Sequence, residues 1–167
     1  MNSIYLIAPS GASYDDQSPL TGIAWLENQG IRIQNAECVK RVFQRFSGND
    51  AQRLQEINHL ANLDPQTIVM AMRGGYGIHR LLPEIDWQAI AQAIQKGLQV
   101  CGHSDFTTFE LALLAKTGAI TLSGPMLNYD FGRLTDDGQQ LAHVCFPLSV
   151  SNCVELTGDQ DAVTAIN

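Results

Sequence analysis

The feature that most constrains this chain is the alternation of short apolar runs with amphipathic stretches over its first 125 residues. Five runs predict strands: SIYLIAP (3–9), IRIQNAE (31–37), TIVMAM (67–72), LQVCG (98–102) and AITLSGP (119–125). The segments between them carry apolar residues at helical spacing and predict helices over 18–29, 49–63, 81–94 and 106–116. Such regular alternation indicates a parallel sheet that is covered by helices on both faces.

The order of these elements also predicts how the strands are arranged. Right-handed crossovers leave few topologies, and a flavodoxin-like strand order, 2-1-3-4-5, fits best. We therefore expect a three-layer α/β sandwich with a mainly parallel sheet. The carboxyl ends of strands one, three and four then share one rim, where open α/β sheets bind ligands. Three unusual turns fall on that rim: PSGAS (9–13), RGGYG (73–77) and GHSDF (102–106).

Length and charge indicate how many domains the chain forms and which partners it is unsuited to bind. A chain of 167 residues suits one domain with a single core. The net charge of −7, with ten scattered Lys and Arg, argues against nucleic acid or an anionic membrane as partner. The first apolar run is too short for a signal peptide or a membrane span, so we expect a cytoplasmic protein. Beyond residue 128 the periodicity is weak, with a short helix predicted near 136–143 and a strand near 153–156.

The cysteines and histidines give no sign of a metal site. The four cysteines contain no C-x-x-C pair, so free thiols are expected in a reducing compartment. The four histidines are equally dispersed, without H-x-x-x-H or H-E-x-x-H. We therefore predict neither a metal nor another cofactor.

Ser104 lies on the third rim turn and has two interpretations. A serine on a tight strand-to-helix turn presents its hydroxyl at the rim, and α/β-hydrolases expose a nucleophile in this way, with a small residue two positions earlier. Gly102 supplies that residue here, and the backbone N–H of Asp105 points at the same spot, where it can stabilise an oxyanion. Alternatively, Ser104 is a helix N-cap, or the helix begins at a capping box from Thr107 to Glu110.

The RGGYG turn also has two interpretations. Glycines at the end of a strand commonly serve a turn with positive φ. Alternatively, adjacent glycines let a ligand approach bare backbone N–H groups, and Gly74 or Gly75 would face Ser104 and give a second oxyanion donor. Arg73 would then pair with a substrate carboxylate, which a guanidinium holds with two parallel hydrogen bonds. A phosphate loop is excluded because G-x-x-x-x-G-K-[ST] is missing.

A serine nucleophile needs a base, and the sequence does not identify one. The base must lie within hydrogen-bond reach of the hydroxyl, and a third group usually orients it. His103 is adjacent to Ser104, but on so tight a turn its side chain should project away from the serine. Nothing around His79 or His143 argues for recruitment. A complete triad cannot be assembled from these residues.

Taken together, the motifs resemble the LD-carboxypeptidases, the muramoyltetrapeptide carboxypeptidases of serine peptidase family S66. The resemblance rests on IAPSG, VMAMRGGYGIHRLLPEIDW, CGHSDFTTFELALLAKTG and TLSGPM, which occur in that order over residues 3–128. The compound pattern is far more specific than any single motif in it.

The resemblance implies a fold and an activity. The fold is the flavodoxin-like sandwich of the class I glutamine amidotransferase type. The activity is release of the terminal D-alanine from the murein tetrapeptide L-Ala-γ-D-Glu-meso-diaminopimelate-D-Ala, by cutting an L,D peptide bond. Members of the family work in the cytoplasm in recycling of the bacterial cell wall, without a metal or another cofactor, and pair as homodimers.

The resemblance also implies roles for residues of the two rim turns. Ser104 corresponds to the nucleophile, and the backbone N–H groups of Asp105 and Gly75 correspond to the oxyanion hole. The residues of the RGGYG turn that we expect to contact substrate are Arg73, Gly74 and Tyr76.

The base and its orienting partner are implied to lie elsewhere. In the family they are a histidine and a glutamate of a C-terminal domain, which complete a Ser-His-Glu triad. We therefore expect residues 1–128 to be the N-terminal nucleophile domain. Residues 129–167 would be a linker or a divergent tail leading to a C-terminal domain that is absent from this chain, so the isolated chain would be inactive.

Two other functions are compatible with the residues. The first is a non-catalytic flavodoxin-like module that holds a small peptide or an anion on the rim. The second is a cysteine amidotransferase-like domain that uses Cys101, although that thiol falls inside a predicted strand, where burial would make it inert.

Overall fold

The computed structural model describes residues 3–133 and 154–155 and contains one six-stranded sheet. Its strands are β1 (Ser3–Ile7), β2 (Arg32–Gln34), β3 (Thr67–Ala71), β4 (Gln99–Gly102), β5 (Leu122–Ser123) and β6 (Val154–Glu155). The order across the sheet is β2-β1-β3-β4-β5-β6, in which β1 to β5 are parallel and β6 is antiparallel to β5. The predicted order 2-1-3-4-5 is confirmed, and the strand expected near 153–156 is present.

Within the described residues four α-helices connect β1 to β5: α1 (Gln17–Asn28), α2 (Asp50–His59), α3 (Trp87–Gln95) and α4 (Thr107–Thr117). The helix near 136–143 lies outside the described residues. Among the described helices, none has both the length and the apolar character that crossing a membrane requires.

The third helix begins six residues later than predicted. Leu82–Glu84 forms a separate 3₁₀ turn that contains Pro83, and Ile85 is extended. The side chain of Asp86 then accepts a hydrogen bond from the N–H of Ala89, so the helix proper begins at this cap. The apolar residues of both pieces face the same core, which is why their spacing mimicked one continuous helix.

Alternation along the central strands divides the core into two clusters, one on each face of the sheet. In β3, Val69 and Ala71 pack against α2, α3 and α4, while Met70 packs on the opposite side with residues of α1. Phe131, beyond the predicted domain boundary at residue 128, is fully buried in the second cluster. The two covered faces explain why the strands read as almost continuous apolar runs.

A buried arginine fastens α2 to the turn after β1. Arg53 is fully buried, and its Nη1 donates to the carbonyl oxygen of Pro9 at 2.6 Å. Its Nη2 lies 2.6 Å from the Asp50 carboxylate, and its guanidinium lies 4.5 Å from the ring centroid of Phe46. The sequence pattern placed Arg53 on an ordinary amphipathic helix and gave no hint of this burial. The bond to Pro9 therefore links the first rim turn to α2.

Candidate active site

Ser104 has a strained backbone and an exposed side chain. Its φ is +61°, in the left-handed region that a residue with a side chain rarely adopts. The residue is separated from the end of β4 by His103 alone and begins a 3₁₀ turn, Ser104–Phe106, that leads into α4. Its hydroxyl makes no hydrogen bond within the described part of the chain. Strain of this kind, which costs about 1–3 kcal/mol, is concentrated at functional sites.

The helix-cap interpretations of this stretch are wrong. The N-cap position of the 3₁₀ turn is His103 and that of α4 is Phe106, and neither side chain caps its helix. The predicted capping box from Thr107 to Glu110 is also absent, because Thr107 is already the first residue of α4. Ser104 therefore has no capping function in this structure.

Gly102 is the small residue that lets the turn close. A Cβ atom at this position would lie 2.5 Å from Cδ1 of Phe106 and 3.1 Å from Cβ of Ala71. Phe106 is fully buried and cannot retreat. The G-x-S spacing is therefore a packing requirement: the ring that anchors the start of α4 occupies the space that a side chain at Gly102 would need.

The RGGYG turn lies directly against Ser104. Strands β3 and β4 are neighbours, so the turns that follow them meet at the rim. A Cβ atom on Gly74 would lie 2.6 Å from the Ser104 hydroxyl oxygen and 3.3 Å from the backbone nitrogen of Asp105. Gly75 is exposed and has φ +118°, so the turn also uses the left-handed conformation that glycine permits. Bare backbone therefore faces the serine.

The side chain of Asp105 ties three rim turns together. Its Oδ2 accepts a hydrogen bond from the hydroxyl of Ser10 at 2.7 Å and another from the N–H of Ile78 at 3.2 Å. Ser10 belongs to the turn after β1, and Ile78 follows the RGGYG turn. The sequence analysis considered only the backbone of Asp105, because the partners of its carboxylate are far away in the chain.

Arg73 is held beside the serine by contacts with the chain that follows β1. Its Nη1 donates to the carbonyl oxygen of Ala12, and its guanidinium lies 3.8 Å from the ring centroid of Tyr14. Within the described residues Nη2 and Nε make no hydrogen bond or ion pair. Two donors of the guanidinium are thus available for a carboxylate.

Ser104 opens into a cavity of about 250 Å³. Of the residues predicted for the site, Arg73, Gly74 and Gly75 line it together with Ser104. Tyr76 does not: it is 52% exposed and lines a neighbouring cavity that shares Arg73 and Gly75 with the first. The lining residues that the sequence analysis missed as site residues include Ser13, Met126, Asn128, Tyr129 and Arg133.

No histidine in the described residues is hydrogen-bonded to Ser104. His103 lines the same cavity, but its Nε2 lies 3.6 Å from Oδ2 of Asp130. His79 contacts the Tyr76 hydroxyl at 3.4 Å, and His143 lies outside the described residues. Groups of three or more potential metal ligands are likewise absent from this part of the chain.

Cys101 is not presented at the rim. It is buried in β4, and its sulfur lies 3.5 Å from the carbonyl oxygen of Pro125. Cys38 is also buried and free, while Cys145 and Cys153 fall outside the described residues. The buried position of Cys101 removes the geometric basis for a cysteine nucleophile.

A family model and individual known proteins both show which proteins this chain is similar to. The model of the LD-carboxypeptidase N-terminal domain matches residues 4–124. The chain is 30% identical over 133 residues to a probable murein peptide carboxypeptidase of Bacillus subtilis, covering 78% of this chain and 40% of that protein. It is 32% identical over 111 residues to the microcin C7 self-immunity protein MccF of Escherichia coli, covering 66% and 31%.

Solved structures agree with the sequence comparisons. A muramoyltetrapeptide carboxypeptidase from Oxalobacter formigenes matches with 41% identity and a TM-score of 0.67, over 78% of this chain and 42% of that one. MccF in complex with aspartyl sulfamoyl adenosine matches with 25% identity and a TM-score of 0.78, over 95% and 45%. The matched part of the chain thus covers about two fifths of the length of these curated relatives. The resemblance drawn from the motifs is confirmed: the chain belongs to the LD-carboxypeptidase family, S66, and contains its N-terminal domain.

Proposed function

We propose that this chain is the nucleophile domain of a serine L,D-carboxypeptidase that releases the terminal D-alanine of murein tetrapeptide. The observation that carries the proposal is the exposed Ser104 hydroxyl, on a backbone at φ +61° and in contact with the bare backbone of Gly74. Relatives named for murein peptides and murein tetrapeptide support the choice of substrate. The reaction would take place in the cytoplasm, in a protein that pairs as a homodimer.

The proposed reaction begins with attack of the Ser104 oxygen on the carbonyl carbon of the scissile L,D bond. The serine proton passes to a histidine base, and the carbonyl oxygen becomes an oxyanion. The backbone N–H groups of Asp105 and Gly75 stabilise this oxyanion, because rigid donors at the rim need no reorganisation when the charge develops. The histidinium then protonates the leaving D-alanine nitrogen, and water releases the acyl group.

Arg73 would hold a carboxylate of the peptide during these steps. Its Nη1 is fixed on the Ala12 carbonyl oxygen, so the guanidinium stays in place with two donors left for a ligand. A fixed guanidinium orients a carboxylate with two parallel hydrogen bonds. A carboxypeptidase needs such a group, since its substrate is defined by a free terminal carboxylate.

The histidine base and its glutamate partner would come from a further domain. Two observations support this: no histidine of the described residues is hydrogen-bonded to Ser104, and the curated relatives are about twice as long as this chain. The chain alone would then bind substrate and turn it over poorly, since the oxyanion hole and binding contribute only part of triad catalysis.

The test is release of D-alanine from murein tetrapeptide by this chain and by the product of the reading frame extended beyond codon 167. We expect release only from the extended protein, and Ser104→Ala should abolish it while the exposed Ser123→Ala leaves it unchanged. Retained release by Ser104→Ala would rule out Ser104 as the nucleophile. Aspartyl sulfamoyl adenosine should be assayed in parallel, because the MccF relative is bound to it.

A non-catalytic binding module is the second candidate. It is favoured by the lack of a base at Ser104 among the described residues. If the reading frame ends at codon 167 and the chain binds tetrapeptide without cleaving it, the binding module is the better description. A downstream domain that contains the Glu and His favours the enzyme.

A further inference from the structure

Asn128 lines the Ser104 cavity and has a buried side-chain oxygen without a hydrogen-bond partner among the described residues. It belongs to the π-helical turn Leu127–Phe131, and its backbone N–H donates to the carbonyl oxygen of Met72 at 2.9 Å. This bond brings it beside the end of β3, where it lines the same cavity as Ser104. The residue is only 8% exposed, and its Oδ1 is buried without a hydrogen-bond partner in the described part of the chain.

The orientation of the Asn128 amide follows from its neighbour. Its Nδ2 donates to the hydroxyl oxygen of Ser13 at 2.7 Å, and that hydroxyl donates to the carbonyl oxygen of Asp15 at 2.6 Å. A serine hydroxyl has a single hydrogen. Because this hydrogen is used on Asp15, Ser13 can only accept from Asn128. The NH₂ group must therefore face Ser13, and the carbonyl oxygen is the atom left over.

An unpaired buried acceptor calls for an explanation, because leaving it unsatisfied is costly and native proteins contain few such groups. Among the described residues the other buried unpaired side-chain atoms belong to Arg41, Arg53, Glu110 and Thr121. None of these four residues lines the Ser104 cavity. Asn128 thus combines an unpaired acceptor with a position at the proposed reaction site.

We infer that Oδ1 of Asn128 accepts a hydrogen bond from an N–H group of the bound peptide and so contributes to substrate selection. This inference rests on the proposed function. The donor is either the amide N–H of the terminal L,D bond or the side-chain ammonium of diaminopimelate, the third residue of the tetrapeptide. An amide oxygen can accept a hydrogen bond from either group. Since Oδ1 is shielded from solvent, we expect residues that line the cavity to shift when the peptide binds.

The experiment measures peptide binding by calorimetry in a Ser104→Ala background, which keeps the ligand intact. Three ligands are compared: the tetrapeptide, an analogue whose terminal amide is an ester, and an analogue with 2-aminopimelate at the third position. The ester removes the amide N–H, and 2-aminopimelate removes the side-chain ammonium but keeps the side-chain carboxylate. The added variants are Asn128→Ala, the milder Ser13→Ala, which frees the amide to rotate, and the exposed control Asn62→Ala.

We expect Asn128→Ala to weaken tetrapeptide binding about tenfold, as the loss of one hydrogen bond of about 1.4 kcal/mol would do. The analogue that lacks the N–H group bound by Asn128 should bind the parent and Asn128→Ala equally well. Ser13→Ala should weaken binding of the tetrapeptide roughly two- to threefold and should likewise have no effect on that analogue. Asn62→Ala should change nothing. Thermal unfolding of each variant confirms that the compared proteins are folded.

Two results would overturn the inference. In the first, the parent binds tetrapeptide, but Asn128→Ala and Ser13→Ala bind it as the control does. In the second, both variants lose the same factor for all three ligands, which indicates a structural effect. If the folded parent binds none of the three ligands, the proposed function itself fails, and that outcome is distinguishable from the other two.

Discussion

The carboxylate of Asp105 accepts a hydrogen bond from the hydroxyl of Ser10, at 2.7 Å and across 95 positions of the chain. The same oxygen accepts the N–H of Ile78 at 3.2 Å. One side chain next to the proposed nucleophile therefore fixes the turns after β1 and β3 relative to the turn after β4. Convergence of backbone donors on Ser104 depends on this arrangement.

Asp105→Ala should lower the free energy of unfolding by about 1–3 kcal/mol, because it leaves two donors without their acceptor. Asp105→Asn should cost much less, since one amide oxygen can take the place of the Oδ2 atom that accepts both bonds. Urea unfolding of both variants provides the measurement, with the exposed Asp16→Ala as control. Equal losses for the Ala and Asn variants would show that the negative charge, rather than the acceptor, is what stabilises the rim.

Gly74→Ala should reduce turnover of tetrapeptide by the extended protein about a hundredfold, because the added Cβ would lie 2.6 Å from the Ser104 oxygen and displace it. Gly74 is not among the glycines with positive φ, so alanine fits its backbone and the effect is steric. The measurement is the rate of D-alanine release.

Gly30→Ala is the matched control for Gly74→Ala. Gly30 has φ +78°, and its Cβ would meet nothing within 4 Å, so alanine should cost about 1 kcal/mol of stability and leave turnover unchanged. If Gly74→Ala retains full activity, the close approach of the two turns has no catalytic importance.

Stability should fall as the pH rises from about 4.5 to 8, because of Glu110. Its carboxyl is fully buried without a partner among the described residues, and burial raises its pKa from 4.5 to about 8. Between these values the native state keeps a proton that the unfolded state releases. The contribution of Glu110 to the free energy of unfolding is therefore complete below pH 4.5 and lost above pH 8, and it amounts to roughly 5 kcal/mol.

Glu110→Gln removes this titration and should flatten the dependence of the unfolding free energy on pH between 5 and 8.5. Burial also raises the pKa of Glu56, so only the difference between wild type and variant isolates Glu110. The exposed Glu27→Gln should retain the full slope. A Glu110→Gln protein with the wild-type slope would mean that Glu110 is ionised in the native state.

Much of the rim could be predicted from the sequence because its signals are local. Short apolar runs, separated by stretches with helical spacing, predicted a parallel sheet, and right-handed crossovers then left few strand orders, of which 2-1-3-4-5 fitted best. Glycine patterns after the third and fourth strands indicated where the backbone turns sharply. Ser104 became a candidate nucleophile in this way, since a G-x-S step between a strand and a helix is readable within a few residues.

The partners of polar side chains were decided only by the tertiary structure. The burial of Arg53 under Phe46 and the position of Asn128 beside the Ser104 cavity could not be read from local spacing. Asp105 finds Ser10 and Ile78 only after three strands have come together. Local spacing determines which backbone segments are strands and turns, whereas a hydrogen bond between distant residues exists only when the whole sheet has brought its two atoms within 3 Å or so.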